Sequence, residues 1–163
     1  MKFSQYYVLR EGFRDSVWLR GVAKGYEMGL HGSIWGTLDK SEAEDYANQF
    51  GKGGQRGGSI QKFKLKPEAK VLEIPGDKLA LIGALYRWTP QQLQALTPPQ
   101  QQRGDHRDLI QQMGGTPGPT WDLTQMDTLL TQKLKTSGYD AAIMGGEWKG
   151  QIVVVNPMAI QTQ

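Results

Sequence analysis

GSIWGTLDKSEAEDYA, residues 32–47, is the stretch that decides the fold of this chain. Ile34-Trp35-Gly36-Thr37 is short and apolar, with a β-branched residue at each end, and predicts a brief strand. Asp39 follows as a helix cap, and Glu42 stands three residues later, the spacing of a capping box. Ala43, Tyr46, Ala47 and Phe50 then recur at i, i+3, i+4 and i+7, and Gly51 supplies the stop. A helix over 39–50 therefore follows the strand almost without a loop, with one apolar face turned to a neighbour.

Downstream, GKGGQRGG at 51–58 reads as a loop. It lacks the Lys-Ser/Thr ending of a phosphate-binding loop and opens no helix. The run 59–66 is a one-sided strand, with Lys62, Lys64 and Lys66 outward and Phe63 and Leu65 inward. Pro67 breaks it, and 70–74 is a second strand. Residues 77–85 predict a helix, and Thr89-Pro90 and Thr97-Pro98 each pair a cap with a proline at the first helical position. A short helix over 105–113 ends at Gly114-Gly115. Leu123, Met126, Leu130 and Leu134 mark another over 121–136, with Gly138 just past its end. The runs 139–144 and 151–155 are strands joined by a hairpin loop at 145–150, and Asn156-Pro157 ends the second. Upstream, 3–10 predicts a strand, 15–28 a helix through Val17, Val22 and Met28, and 29–33 a turn. This order, with a helical insertion at about 77–136, predicts one α+β domain over 1–163 rather than a doubly wound parallel sheet.

With 163 residues the chain can bury a single core, and its 21 glycines predict many tight turns. The absence of cysteine excludes disulfides, thiolate metal sites and a cysteine nucleophile. His31 and His106 have no partners spaced for a metal or a triad. The net charge of +3 permits an acidic partner without requiring one. No apolar run is long enough to cross a membrane and no secretory signal opens the sequence. The expected location is the cytoplasm, or another cell reached without a signal of that kind.

Taken in order, GSIWGTLDKSEAEDYA, the glycine loop, GGSIQKFKLKPEAKVLEI and GYDAAIM…QIVVVNPMAI resemble the ADP-ribosyltransferase fold. The resemblance is to the diphtheria-toxin-like and poly(ADP-ribose)-polymerase-like branch, and to small transferase domains of phages and bacterial toxins. It covers most of the chain outside the helical region. It implies split, mixed or antiparallel sheets with peripheral helices. It further implies an NAD-dependent mono-ADP-ribosyltransferase, which cuts the nicotinamide–ribose bond and moves ADP-ribose to a protein or nucleic-acid acceptor. NAD would be the co-substrate, with no metal and no membrane partner.

The resemblance assigns residues. Trp35 and Tyr46 fall where two aromatic rings clamp nicotinamide, and Thr37 falls on a supporting Ser/Thr. Arg10, ending the first predicted strand, is the choice for the ribose and diphosphate. Arg20, in Trp18-Leu19-Arg20-Gly21, is the competing choice. Gln151 opens the final strand, where a catalytic glutamate is expected, and Glu147 in the preceding loop is a second source of a carboxylate. Elementary physics agrees with these types. Nicotinamide in NAD is a cationic ring, and each aromatic face offers it roughly 0.5–2 kcal/mol. An Arg fork matches a diphosphate. Cutting the bond develops oxocarbenium charge at the ribose, which a nearby carboxylate stabilises. A glutamine accepts the ribose hydroxyl but brings no charge, so the implied loss is in rate more than in binding. Two other readings stay open: a catalytically silent relative that binds NAD or a partner, and a basic nucleic-acid-binding domain built on the lysine face.

Overall fold

The computed structural model describes residues 13–22, 33–49, 57–97, 106–118, 123–145 and 150–163. Its strands are β1 (Trp18–Val22), β2 (Ile34–Thr37), β3 (Ser59–Leu65), β4 (Val71–Ile74), β5 (Ala141–Met144), β6 (Gln151–Val154) and β7 (Ile160–Thr162). Its helices are α1 (Lys40–Gln49), α2 (Lys78–Tyr86), α3 (Pro90–Leu96), α4 (Arg107–Gln112) and α5 (Leu123–Thr136). The strands join in one seven-stranded sheet of order β4-β5-β6-β2-β1-β3-β7. All neighbours are antiparallel except β4 and β5, which run parallel. The general α+β class therefore holds. The two separate sheets implied by the resemblance do not form, although the join is narrow: among the described residues β1 meets β2 at the single register pair Leu19↔Thr37.

Both faces of the sheet are covered, which explains why its central strands read as unbroken apolar runs. On one face Ala142, Met144, Val153 and Val155 meet Leu81, Ile82, Leu109, Ile110, Leu130 and Leu134 from the helices. On the other, Trp18, Ile34, Phe63, Ile143, Ile152 and Val154 pack together. The region 77–136 is thus no appendage, since α2, α4 and α5 supply seven of the twelve described buried residues of the core on that face. Thr89 caps α3 as expected, whereas Thr97 closes that same helix. Asp77 accepts from the amide of Ala80, and Thr89 and Gln92 form a complete capping box on α3. Among the described residues no helix is long and apolar enough to cross a membrane.

Two elements differ from expectation. Residues 18–22 form strand β1 within the predicted helix 15–28. Trp18, Arg20 and Val22 alternate inward there, a period of two that outweighs the looser helical spacing of Val17, Val22 and Met28. Strand β7, too short to show a period, completes the sheet against β3. The predicted strand 3–10, the turn at 29–32 and the core of the glycine loop lie outside the described residues.

Gly21 lets α1 lie directly on β1, because a Cβ there would collide with the carbonyl oxygen of Ala43. Gly21→Ala is expected to lower stability by about 1–3 kcal/mol, measured by chemical denaturation. Asp140 ties three strands together just before β5. Its carboxylate accepts from the Lys70 amide at 2.8 Å and from Asn156 Nδ2 at 2.9 Å. The Asn156 bond first, and the Lys70 bond second, hold its pKa below the ordinary carboxylate value. A depressed folded pKa contributes stability that is present above the unfolded value of about 3.9 and is lost as pH falls through the folded value. Asp140→Ala should therefore flatten the acid limb of a stability–pH curve below about pH 4. An unchanged limb would show that other carboxylates set it.

Candidate functional site

The strand β2 ends at Thr37, which is buried. Its hydroxyl accepts from the Asp39 amide at 3.0 Å and donates to Glu42 Oε2 at 3.2 Å. Asp39 caps α1 as expected, accepting from the Glu42 amide at 3.1 Å. The second half of the expected capping box is absent. Glu42 does not return to the Asp39 amide, because Thr37 already serves that donor. The Glu42 carboxylate turns instead across the sheet, where Oε1 accepts from Gln151 Nε2 at 2.8 Å.

Gln151 stands opposite Thr37 in the β2–β6 ladder and opposite Met144 in the β5–β6 ladder. Paired residues share a face, so Thr37 and Gln151 point the same way, as does Trp35 two residues earlier on β2. Gln151 is partly exposed. With Nε2 on the carboxylate, its Oε1 has no hydrogen-bond partner among the described residues.

Trp35 is less open than a ligand clamp requires. Its indole Nε1 donates to Ser33 Oγ at 3.2 Å, and it packs against the helical side of the core. The Lys78 ammonium lies 5.2 Å from its ring centroid and is itself bound to Asp127 at 2.7 Å. One face of the ring thus already carries a cation. Tyr46 is about half exposed on α1, while Ala43 and Ala47 of the same helix are buried.

Arg20 turns to the sheet face opposite Leu19 and Thr37. There it lines a cleft of about 510 Å³ with Ile34, Gln61, Phe63 and Thr162. Burial pulls its guanidinium below the ordinary pKa, and the nearby Tyr46 pulls the other way. Arg10 and Glu147 lie outside the described residues. Of the assigned residues, then, the structure joins Thr37 to Gln151, sets Trp35 beside them and turns Arg20 to the other face. It also brings in Glu42, whose cap spacing gave the sequence no sign of a second role. The chain matches no protein-family model, no curated protein and no solved structure.

The Glu42–Gln151 contact changes what a glutamate at the final strand would do. Gln151→Glu sets two carboxylates at hydrogen-bond distance, so the introduced group holds a proton above its unfolded pKa of about 4.3. A raised folded pKa means the folded state binds more protons, and stability falls as pH rises from there through the folded value. The variant should lose about 1–3 kcal/mol between pH 5 and pH 8 relative to the parent chain, measured by urea denaturation. Parallel curves would show that the two side chains separate freely.

Proposed function

We propose that this chain is an NAD-dependent mono-ADP-ribosyltransferase. It binds NAD, breaks the nicotinamide–ribose bond and transfers ADP-ribose to a macromolecular acceptor, a protein or a nucleic acid. The resemblance of the ordered motifs motivates this reading. The single observation that supports it most is the meeting of Thr37 and Gln151, two motif positions far apart in sequence, around one carboxylate.

In this reading the bonding pair of the glycosidic bond leaves with nicotinamide, which becomes neutral. A nucleophilic atom of the acceptor bonds to the ribose carbon, and its proton passes to water or to a nearby base. Gln151 accepts a hydrogen bond from a ribose hydroxyl, and Thr37 supports the site through Glu42. Tyr46 and Trp35 flank the nicotinamide, with Lys78 withdrawn from the ring face that the ligand takes. Arg10 meets the diphosphate, since Arg20 turns to the other face of the sheet, and Glu147 is the nearest further carboxylate in sequence to Gln151.

One alternative has its own support. A neutral amide at position 151 and a cation over Trp35 both favour a catalytically silent module that binds NAD or a partner. Incubation with NAD labelled on the adenylate, alone and with cell lysate, separates the two. Transferase activity gives labelled macromolecules and an equal release of nicotinamide. NAD binding without release gives the silent module, and neither binding nor release removes both NAD readings.

A further inference from the structure

We infer that Glu42 is a positioning residue that fixes the orientation of the Gln151 amide, so that Gln151 meets a ligand as a hydrogen-bond acceptor alone. The inference rests on the NAD reading for the identity of the ligand, and on geometry for the rest. A carboxylate only accepts, so the Gln151 group at 2.8 Å from Glu42 Oε1 must be the NH2 and not the carbonyl. The carbonyl oxygen is thereby turned away from Glu42. It is the end of the side chain left without a partner among the described residues, on a partly exposed side chain.

Glu42 is itself held on its other oxygen. The Asp39 amide donates to Thr37 Oγ1, which leaves the Thr37 proton to donate to Glu42 Oε2. The chain of donors runs one way from the backbone to the carboxylate, and each bond fixes the next. An unrestrained glutamine would present NH2 or C=O to a ligand with similar ease. Held in this way, it presents the acceptor edge that a carboxylate would present, without the charge. The ligand group it selects is a hydroxyl donor, and a sugar hydroxyl has the right chemistry.

The test has two parts. In the ligand-free protein, the side-chain amide protons of Gln151, identified by their loss in Gln151→Ala, should move upfield and exchange faster with solvent in Glu42→Ala. Unchanged signals overturn the inference whether or not NAD binds. For the ligand, NAD affinity is measured by calorimetry in a double-mutant cycle of Glu42→Ala and Gln151→Ala. Glu42→Ala should weaken NAD by about tenfold in the parent chain and have little further effect in Gln151→Ala. Equal losses in both backgrounds would show that Glu42 acts on the fold and not through Gln151.

Glu42→Gln keeps an acceptor for Nε2 and should fall between the parent and Glu42→Ala in both measurements. It serves as the test variant if Glu42→Ala does not melt cooperatively. If the parent chain does not bind NAD, the NAD reading fails, and the amide signals alone decide the positioning role.

Discussion

The antiparallel pairing of β2 with β6 is the constraint on which most of this structure depends. It places Ile34, Trp35, Gly36 and Thr37 against Val154, Val153, Ile152 and Gln151 in strict register. Slipping this register by one residue would exchange the two faces, sending Trp35 into the Trp18 cluster and Ile34 toward the helices. Apolar packing on both faces fixes the register, and the register brings Gln151 and Glu42, 109 residues apart, to hydrogen-bond distance. The polar cluster is thus held in place by the apolar packing on either side of the sheet.

A neutral side chain on the final strand does not leave this place without a negative charge. A carboxylate lies one hydrogen bond behind Gln151, supplied by the helix that follows β2. That arrangement separates two tasks that one glutamate could perform together. On the proposed reading, recognition of a hydroxyl would fall to the amide oxygen, while the negative charge stays on α1. Charge at that remove acts on a developing cation more weakly than charge in contact, because the interaction falls with distance and with the polarity between.

Local order was legible where a residue reports on its immediate neighbours. The caps at Asp39 and Thr89, and the leucine spacing of α5, are short-range signals, and the structure follows them. Glu42 shows the limit of such signals. Its spacing from Asp39 suits a capping box, but Thr37 reaches the Asp39 amide first, and the pairing of β2 with β6 decides where the freed carboxylate goes. The Lys78 ammonium over Trp35 comes from a helix elsewhere in the sequence, so nothing in the neighbourhood of Ile34-Trp35-Gly36-Thr37 announced it. Strand β1 was hidden because five residues are too few for a period to stand out beside Gly21, whose lack of a side chain reflects the helix lying on it.

That helix has a mechanical consequence. Among the described residues the sheet narrows to one register pair between β1 and β2, and α1 packs across the narrow place onto β1, β2 and β3. A hinge in a sheet ordinarily bends at its weakest ladder. Here the same ladder is splinted by α1, which also carries Glu42. Any change of angle between the β1-β3-β7 portion and the β2-β6-β5-β4 portion must tilt this splint, and so pull on the bond between Glu42 and Gln151. The Glu42–Gln151 bond thus ties the splint to β6, across β2 from the narrow place.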